Sequence, residues 1–462
     1  MPTDTTVAPT APERVLSTLN ADGTRRWLTP RPSPGRFHGR RRLLAWALIA
    51  LFTAIPYVTI AGRPMILLDV TRREFTLFGT TFLPTETMLL ALLLVGIFLT
   101  VFIVTALFGR VWCGWACPQT VYMEFVFRPL DRLITHPGMR HAVFVVVSMV
   151  LAHTFLAYFV GVERLAHWVT GSPFDHPVAF LVMAATTLLM LLDFGWFREQ
   201  VCLVACPYGR FQSVLLDRRS LIVGYDPRRG EPRGAFRRGV AARASVAGGD
   251  CVDCRLCVRT CPTGIDIRDG LQMECIHCAQ CVDACDAVMA KLGRPRGLIR
   301  YTSRGELGGE PRRWLRPRLV FYPALLALVF GAFTVALLQR APADVTVLRA
   351  AGSPFTVLPS NEISNQIRIK IVNRTREDRR YHVTIADPDA LRLVAPENPI
   401  AVAAGKAATA VVFVTASRTA LAGGRRDIRF RVTDGAEFTT LETYRLLGPA
   451  ETTTGGPPGG QS

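Results

Sequence analysis

The sequence predicts a membrane α-helical protein with five transmembrane helices. An α+β ferredoxin domain of the bacterial two-cluster type is inserted in it, and an immunoglobulin-like β-sandwich follows at the C-terminus. Three observations predict this: five long apolar stretches, a cysteine run written twice, and short alternating apolar runs after Arg340. The 462 residues hold 54 Lys+Arg against 36 Asp+Glu, and only Lys291, Lys370 and Lys406 are lysine, so arginine carries the basic character. A mean hydropathy of +0.26 with 19% charged residues is too apolar for an average soluble enzyme and too polar for a pure bundle of spans. Collagen-like, coiled-coil and disordered classes are excluded by composition.

Residues 1–40 and 450–462, rich in Thr, Pro, Gly and Arg, read as a disordered N-terminus and a disordered tail. A span needs about 20 mostly apolar residues, because the backbone must satisfy its own polar groups in lipid. Stretches 43–61, 88–108, 142–160, 178–194 and 319–338 qualify, the first four within a membrane domain of residues 41–215. Any one alone could be a buried core helix, but five separated by charged loops point to a bilayer. Arg25, Arg26, Arg31, Arg36 and the run Arg40, Arg41, Arg42 precede the first span, and segments 109–141 and 195–318 are also basic. Loops 62–87 and 161–177 are poor in arginine. The positive-inside rule therefore puts the N-terminus, the second loop and the long fourth loop in the cytoplasm, and everything after residue 338 outside. No cleavage site follows the first span, so it reads as a retained anchor. The basic face suits anionic membrane lipid. No nucleic-acid-binding pattern accompanies it, so no nucleic acid is expected as a partner.

Within the fourth loop (216–318) lies Cys251-x2-Cys254-x2-Cys257-x3-Cys261-Pro262, followed by Cys275-x2-Cys278-x2-Cys281-x3-Cys285. This is the spacing of a bacterial ferredoxin with two 4Fe–4S clusters, in which the fourth cysteine of each run ligates the other run's cluster. The expected sets are Cys251, Cys254, Cys257 with Cys285, and Cys275, Cys278, Cys281 with Cys261. Zinc is the rival for one C-x2-C but not for eight cysteines so arranged. Structural disulfides do not suit a reducing cytoplasm. With all thiolates engaged, such clusters conduct electrons rather than bind substrate.

The other four cysteines form a second repeat, Cys113-Gly-Trp-Ala-Cys117-Pro118 and Cys202-Leu-Val-Ala-Cys206-Pro207, each a few residues after an even-numbered span. If helical, positions i and i+4 share a face, and each proline marks a break just after the second cysteine. The pairs either converge on one four-thiolate site or work separately. Soft thiolates there suit Cu(I), a further iron–sulfur cluster or thiol–disulfide exchange. His153 alone lies at mid-span depth, which argues for a satisfied polar residue rather than haem, and Glu124 and Asp131 read as interfacial charges. In 345–449, runs 367–372, 381–385, 410–415 and 427–432 alternate at period two between turn-type segments, the pattern of an antiparallel sandwich. That domain reads as a docking module.

Residues 40–450 resemble the CcoG/FixG (RdxA) family of cytochrome c oxidase accessory proteins. The resemblance rests on Gly62-Arg-Pro, both C-x3-C-P motifs, Cys-Pro-Thr-Gly-Ile-Asp-Ile-Arg-Asp-Gly (261–270) and Gly297-Leu-Ile-Arg-Tyr. It implies a multi-pass protein of the bacterial inner membrane, with its last domain periplasmic. It implies two 4Fe–4S clusters, and an oxidoreductase that reduces Cu(II) to Cu(I) for a cbb3-type oxidase. Cys113, Cys117, Cys202 and Cys206 are then the redox or copper-handling thiols. Oxidase assembly factors and copper chaperones or transporters are the implied partners, with the electron donor left open. Two other roles use the same parts: a quinol dehydrogenase subunit similar to NapH-like proteins, and a non-enzymatic redox-sensing assembly scaffold.

Overall fold

Long apolar segments become helices because a helix closes every backbone hydrogen bond within itself. In a computed structural model, residues 16–449 are described, apart from 21, 61, 71–73, 83–85, 235–247, 312–316 and 376. The chain divides into two compact units, Met1–Thr334 and Val335–Ser462. Among the described residues, four helices are long and apolar enough to cross a membrane: Thr87–Phe108, Pro137–Val160, Pro177–Phe197 and Val320–Leu338. They coincide with the second to fifth expected spans.

The first expected span differs. Its helix starts early, at Arg36, and stops at Ala54. A 3-10 turn, Ile55–Tyr57, then leads into the strand pair Thr59–Ile60 and Arg63–Pro64. Pro56 explains the stop, since it cannot donate to the preceding turn. With Arg40, Arg41 and Arg42 inside it, the uncharged part of this helix falls short of the roughly 20 residues a span requires. The following loop also carries a small antiparallel meander, Ile66–Asp69, Glu74–Leu77 and Thr80–Phe82.

The cysteine-rich segment is an α+β unit. Strands Ile222–Tyr225 and Ile299–Thr302 pair antiparallel, and helices Leu256–Arg259 and Gln280–Lys291 lie between them in sequence. Its core joins Val223, Ile265, Ile267, Met289, Leu298 and Ile299 to the cysteines themselves.

The expectation of disorder over 1–40 is corrected for residues 16–40; residues 1–15 and 450–462 lie outside the described residues. Leu19 and Arg25 form a β-bridge, Leu28 is buried, and the N–H of Arg31 donates to the Arg259 carbonyl (2.8 Å). Ser17 donates to the Thr263 carbonyl (2.6 Å). Composition misled because a polar, proline-rich segment gains order from a partner surface rather than from its own core. The first helix is anchored from outside as well. The Asp283 carboxylate, on the helix Gln280–Lys291, accepts from the N–H groups of Phe37 (3.1 Å) and His38 (2.7 Å). These are donors that a helix start leaves without intrahelical partners.

In the second unit, the four alternating runs become strands of two antiparallel sheets. Ile363–Asn373 lies between Ala343–Arg349 and Ala407–Ala416 in one, and Arg379–Ile385 lies beside Arg425–Thr433 in the other. Register is set by burial: Ile367, Ile369 and Ile371 point inward beside Val412, Val414, Val383, Phe430 and Val432, all 0% exposed. Each such side chain stabilises by about 1.5–3 kcal/mol when buried.

Candidate functional site

Each ferredoxin-type run folds the same way. The residues flanking its middle cysteine are left-handed: Asp253 (φ 49) and Arg255 (φ 54) around Cys254, His277 (φ 54) and Ala279 (φ 58) around Cys278. None of the four is glycine, and a left-handed side chain costs about 1–2 kcal/mol. Strain duplicated at matching positions marks a built site. Alternating hand turns successive N–H groups toward one concavity, the kind of backbone nest that receives anions and iron–sulfur clusters. After each second left-handed residue a helix begins, carrying Cys257 or Cys281 in its first turn.

Two cavities result. Cys251, Cys254, Cys257 and Cys285 line one; Cys261, Cys275, Cys278 and Cys281 line the other, with Cys257 in the shared wall. The two are alike in size, about 20 Å³ each. No group of three His, Cys, Asp or Glu among the described residues closes on a single metal ion. The thiols surround voids instead, which fits a polynuclear cluster. Burial pushes the thiols of Cys257, Cys275 and Cys285 up to about 12 and that of Cys281 well above its ordinary range. Such thiols stay protonated unless iron displaces the proton, so the donor set suits a thiolate-bound cluster.

The membrane-edge cysteines sit at helix breaks. Cys113 lies in the short helix Val111–Trp115, and Cys202 in the π-helical turn Val201–Ala205. Cys117 (φ −61, ψ 126) and Cys206 (φ −74, ψ 110) are extended, and Pro118 and Pro207 each open a new helix. The break falls at the second cysteine rather than after it. A residue before proline is forced out of the helical region, whereas proline itself favours the first helical position. Two further π turns, Met123–Phe127 and Asp193–Phe197, flank the motifs, a geometry frequent at functional sites.

The fold brings both pairs together. Cys113 Sγ donates to Gln212 Oε1 (3.3 Å), on the helix that Pro207 opens. The Cys202 thiol lies within electrostatic reach of Cys117, Cys113 and Cys206. Burial, and then the neighbouring Cys117, raise Cys113 to about 12.

This site is docked on the second cavity. A Cβ built on Gly114 falls 2.4 Å from the Ile276 carbonyl oxygen and 2.9 Å from Cys278 N and Cα. Arg41 Nε donates to the Gly114 carbonyl (2.7 Å). Trp115 Nε1 donates to Tyr301 Oη (2.9 Å), which donates to the His277 carbonyl (2.6 Å). The Arg110 N–H donates to His277 Nδ1 (3.2 Å), and its guanidinium to the carbonyls of Met273 and Gly209. Sequence reasoning missed Arg41, Arg110, Gln212 and Trp115. Tyr301 stood in a motif, but without a task.

Glu124 and Asp131 are ion-paired, Glu124 with Arg128 and Asp131 with Arg198 (2.6 Å). His153 bonds to the Met149 carbonyl of its own helix (2.7 Å). An open cavity of about 660 Å³ lies at the ends of two membrane-type helices, lined by Trp27, Phe144, Leu191 and Trp196 together with Arg132, Arg140 and His141.

Comparison with known proteins agrees with this layout. A 4Fe–4S dicluster domain matches residues 197–304, a 4Fe–4S binding domain matches 90–137, and an Ig-like fold found at the C-terminus of FixG matches 333–449. Protein RdxA of Cereibacter sphaeroides is 33% identical over 399 residues, covering 78% of this chain and 83% of that protein. Nitrogen fixation protein FixG of Rhizobium meliloti is 33% identical over 418 residues, with 78% and 79% covered. Protein RdxB of Cereibacter sphaeroides is 32% identical over 447 residues, with 87% and 92% covered.

Proposed function

From the premise that the chain belongs to the FixG/RdxA family, and is thus a membrane iron–sulfur electron-transfer protein, we propose that it reduces Cu(II) to Cu(I) for assembly of a cbb3-type oxidase. The observation that carries this is the docking of four converging soft thiols on a cysteine-walled cavity. Cys251, Cys254, Cys257 and Cys285 hold one 4Fe–4S cluster, and Cys275, Cys278, Cys281 and Cys261 the other. The clusters supply one-electron transfer. Cys113, Cys117, Cys202 and Cys206 receive the copper substrate, and soft thiolates favour its reduced form, which gives the step a direction. One electron passes to Cu(II), giving Cu(I). No bond of the protein is made or broken.

The first helix completes a five-span topology by drawing its arginines to the interface and thinning the bilayer locally. The cluster-bearing segment then lies in the cytoplasm of a bacterial inner membrane, and the Ig-like domain lies in the periplasm. That domain docks copper chaperones, transporters or oxidase assembly factors.

The test is a Cys113→Ala, Cys117→Ala double variant in isolated membranes. We expect Cu(II) reduction to be lost while iron and sulfide content is retained; unchanged reduction would overturn the copper role. Wild-type iron near 12 per chain, instead of about 8, would assign a third cluster to these thiols. The open cavity at the helix ends favours one second reading, oxidation of a quinol as the electron source. Rapid cluster reduction by a short-chain quinol in detergent would support it.

A further inference from the structure

The charges around the two cysteine-walled cavities are not alike. Arg268 lines the first, but Asp266 and Asp253 both pair with it. Arg255, also on that wall, is exposed and faces Asp253 (3.7 Å). Asp266 and Asp286 add negative charge beside Cys257 and Cys285. Behind the wall of the second cavity, rather than lining it, stand two buried arginines, Arg41 and Arg110, joined to it through Gly114 and His277. Arg41 is 0% exposed, and it carries no ion pair among the described residues. Its Nε is committed to the Gly114 carbonyl, and both its Nη1 and Nη2 are without a hydrogen-bond partner. A buried guanidinium without an acceptor is expensive, so this placement needs an acceptor or a counter-charge. The Gly114 that its Nε holds packs directly on the cavity wall, its built Cβ standing 2.9 Å from Cys278 N and Cα. Arg110, 4% exposed, bonds to carbonyls rather than carboxylates. Its charge reaches Cys275 and Cys113, with Glu274 also within reach.

We propose that Arg41 is a positioning residue whose free guanidinium N–H groups serve the cluster in the second cavity, making it the more easily reduced of the two. This rests on the two-cluster reading above. A 4Fe–4S core held by four thiolates goes from about −2 to about −3 on accepting an electron. A buried cation stabilises the more negative state, and hydrogen bonds to the sulfurs act in the same sense. The donor cluster is oxidised by one electron and the acceptor reduced by one, with no proton moved. Electrons therefore collect in the cavity against which Gly114 packs, one step from the membrane-edge thiols. The cluster with exposed Cys254 is the entry.

The experiment is a potentiometric EPR titration of the full-length protein in detergent, with iron and sulfide analysis of every variant. Wild type should titrate in two steps, and Cys254→Ala should remove the lower-potential one. Arg41→Gln should lower the upper step alone, by about tenfold in the equilibrium between the clusters, or about 59 mV for one electron. Arg41→Lys should restore most of it. Loss of the upper step in Cys254→Ala, or unmoved steps in an iron-replete Arg41→Gln, overturns the proposal. Should Arg41→Gln lose iron, the assignment from Cys254→Ala decides alone. Wild-type protein without two clusters' worth of iron and sulfide would instead sink the two-cluster reading itself.

Discussion

Gly114→Ala adds one methyl group where the membrane-edge loop meets the second cavity. The new Cβ would stand 2.4 Å from the Ile276 oxygen and 2.9 Å from two backbone atoms of Cys278. Main chain cannot swing aside as a long side chain can. Ordinary carbon contact then requires the two loops to part by about 1 Å, at an overpacking cost of about 1–3 kcal/mol. The parting also stretches the Arg41–Gly114 and Trp115–Tyr301 bonds, both already at normal length. All twelve thiols are retained. Stopped-flow reoxidation of dithionite-reduced protein by Cu(II) should therefore slow at unchanged iron content, with a lower melting temperature. Gly39→Ala is the internal control. It lies on the helix Arg36–Ala54 with nothing within 4 Å of its built Cβ, and alanine in a helix gains about 0.5–1 kcal/mol. If Gly114→Ala behaves like Gly39→Ala in both assays, the docking of motif on cavity is refuted.

Three other outcomes are expected. Cys285→Ala should lower iron from about eight to about four per chain while the signals of the other cluster persist. Asp283→Ala removes the acceptor for the N–H groups of Phe37 and His38, and should cost about 0.5–2 kcal/mol, as other lost N-caps do, in thermal unfolding. In the Ig-like domain, burial raises the Asp434 carboxyl. The amides of Ala436 and Phe438, with Arg379 beside it, outweigh that and hold it below its ordinary 3.8. A lowered folded value stabilises above the unfolded value and is lost as pH falls through the folded one. Asp434→Asn should thus lower the domain's melting temperature at pH 7 and flatten its acid dependence below about pH 4.

The eight ferredoxin-type cysteines and the sandwich strands were legible because their signals are local: a fixed spacing, and alternation at period two. What escaped depends on distant partners. Arg41 belongs to an arginine run that topology explains, and nothing in the run singles out the side chain whose Nε bonds to the Gly114 carbonyl, 73 residues away. Likewise, Gln212 and Trp115 look like ordinary polar and interfacial residues until the fold sets them beside Cys113 and Tyr301. The π turns left no trace in composition. The first helix was drawn seven residues too far toward the C-terminus because hydropathy passes through Pro56, where its hydrogen bonding stops. The order of residues 16–40 was hidden for the same reason: its apolar surface is supplied by residues near 260.

That last pairing sets a timetable for synthesis. The segment containing Arg31 leaves the ribosome early, yet the Thr260 hydroxyl that donates to the Arg31 carbonyl (2.8 Å) is made only 229 residues later. At about 5–20 residues per second, the wait is roughly 10–50 s. Throughout that interval the leading segment is an open strap, exposed to proteases and targeting factors. It fastens only once the chain around residues 259–263 has been made and folded against it.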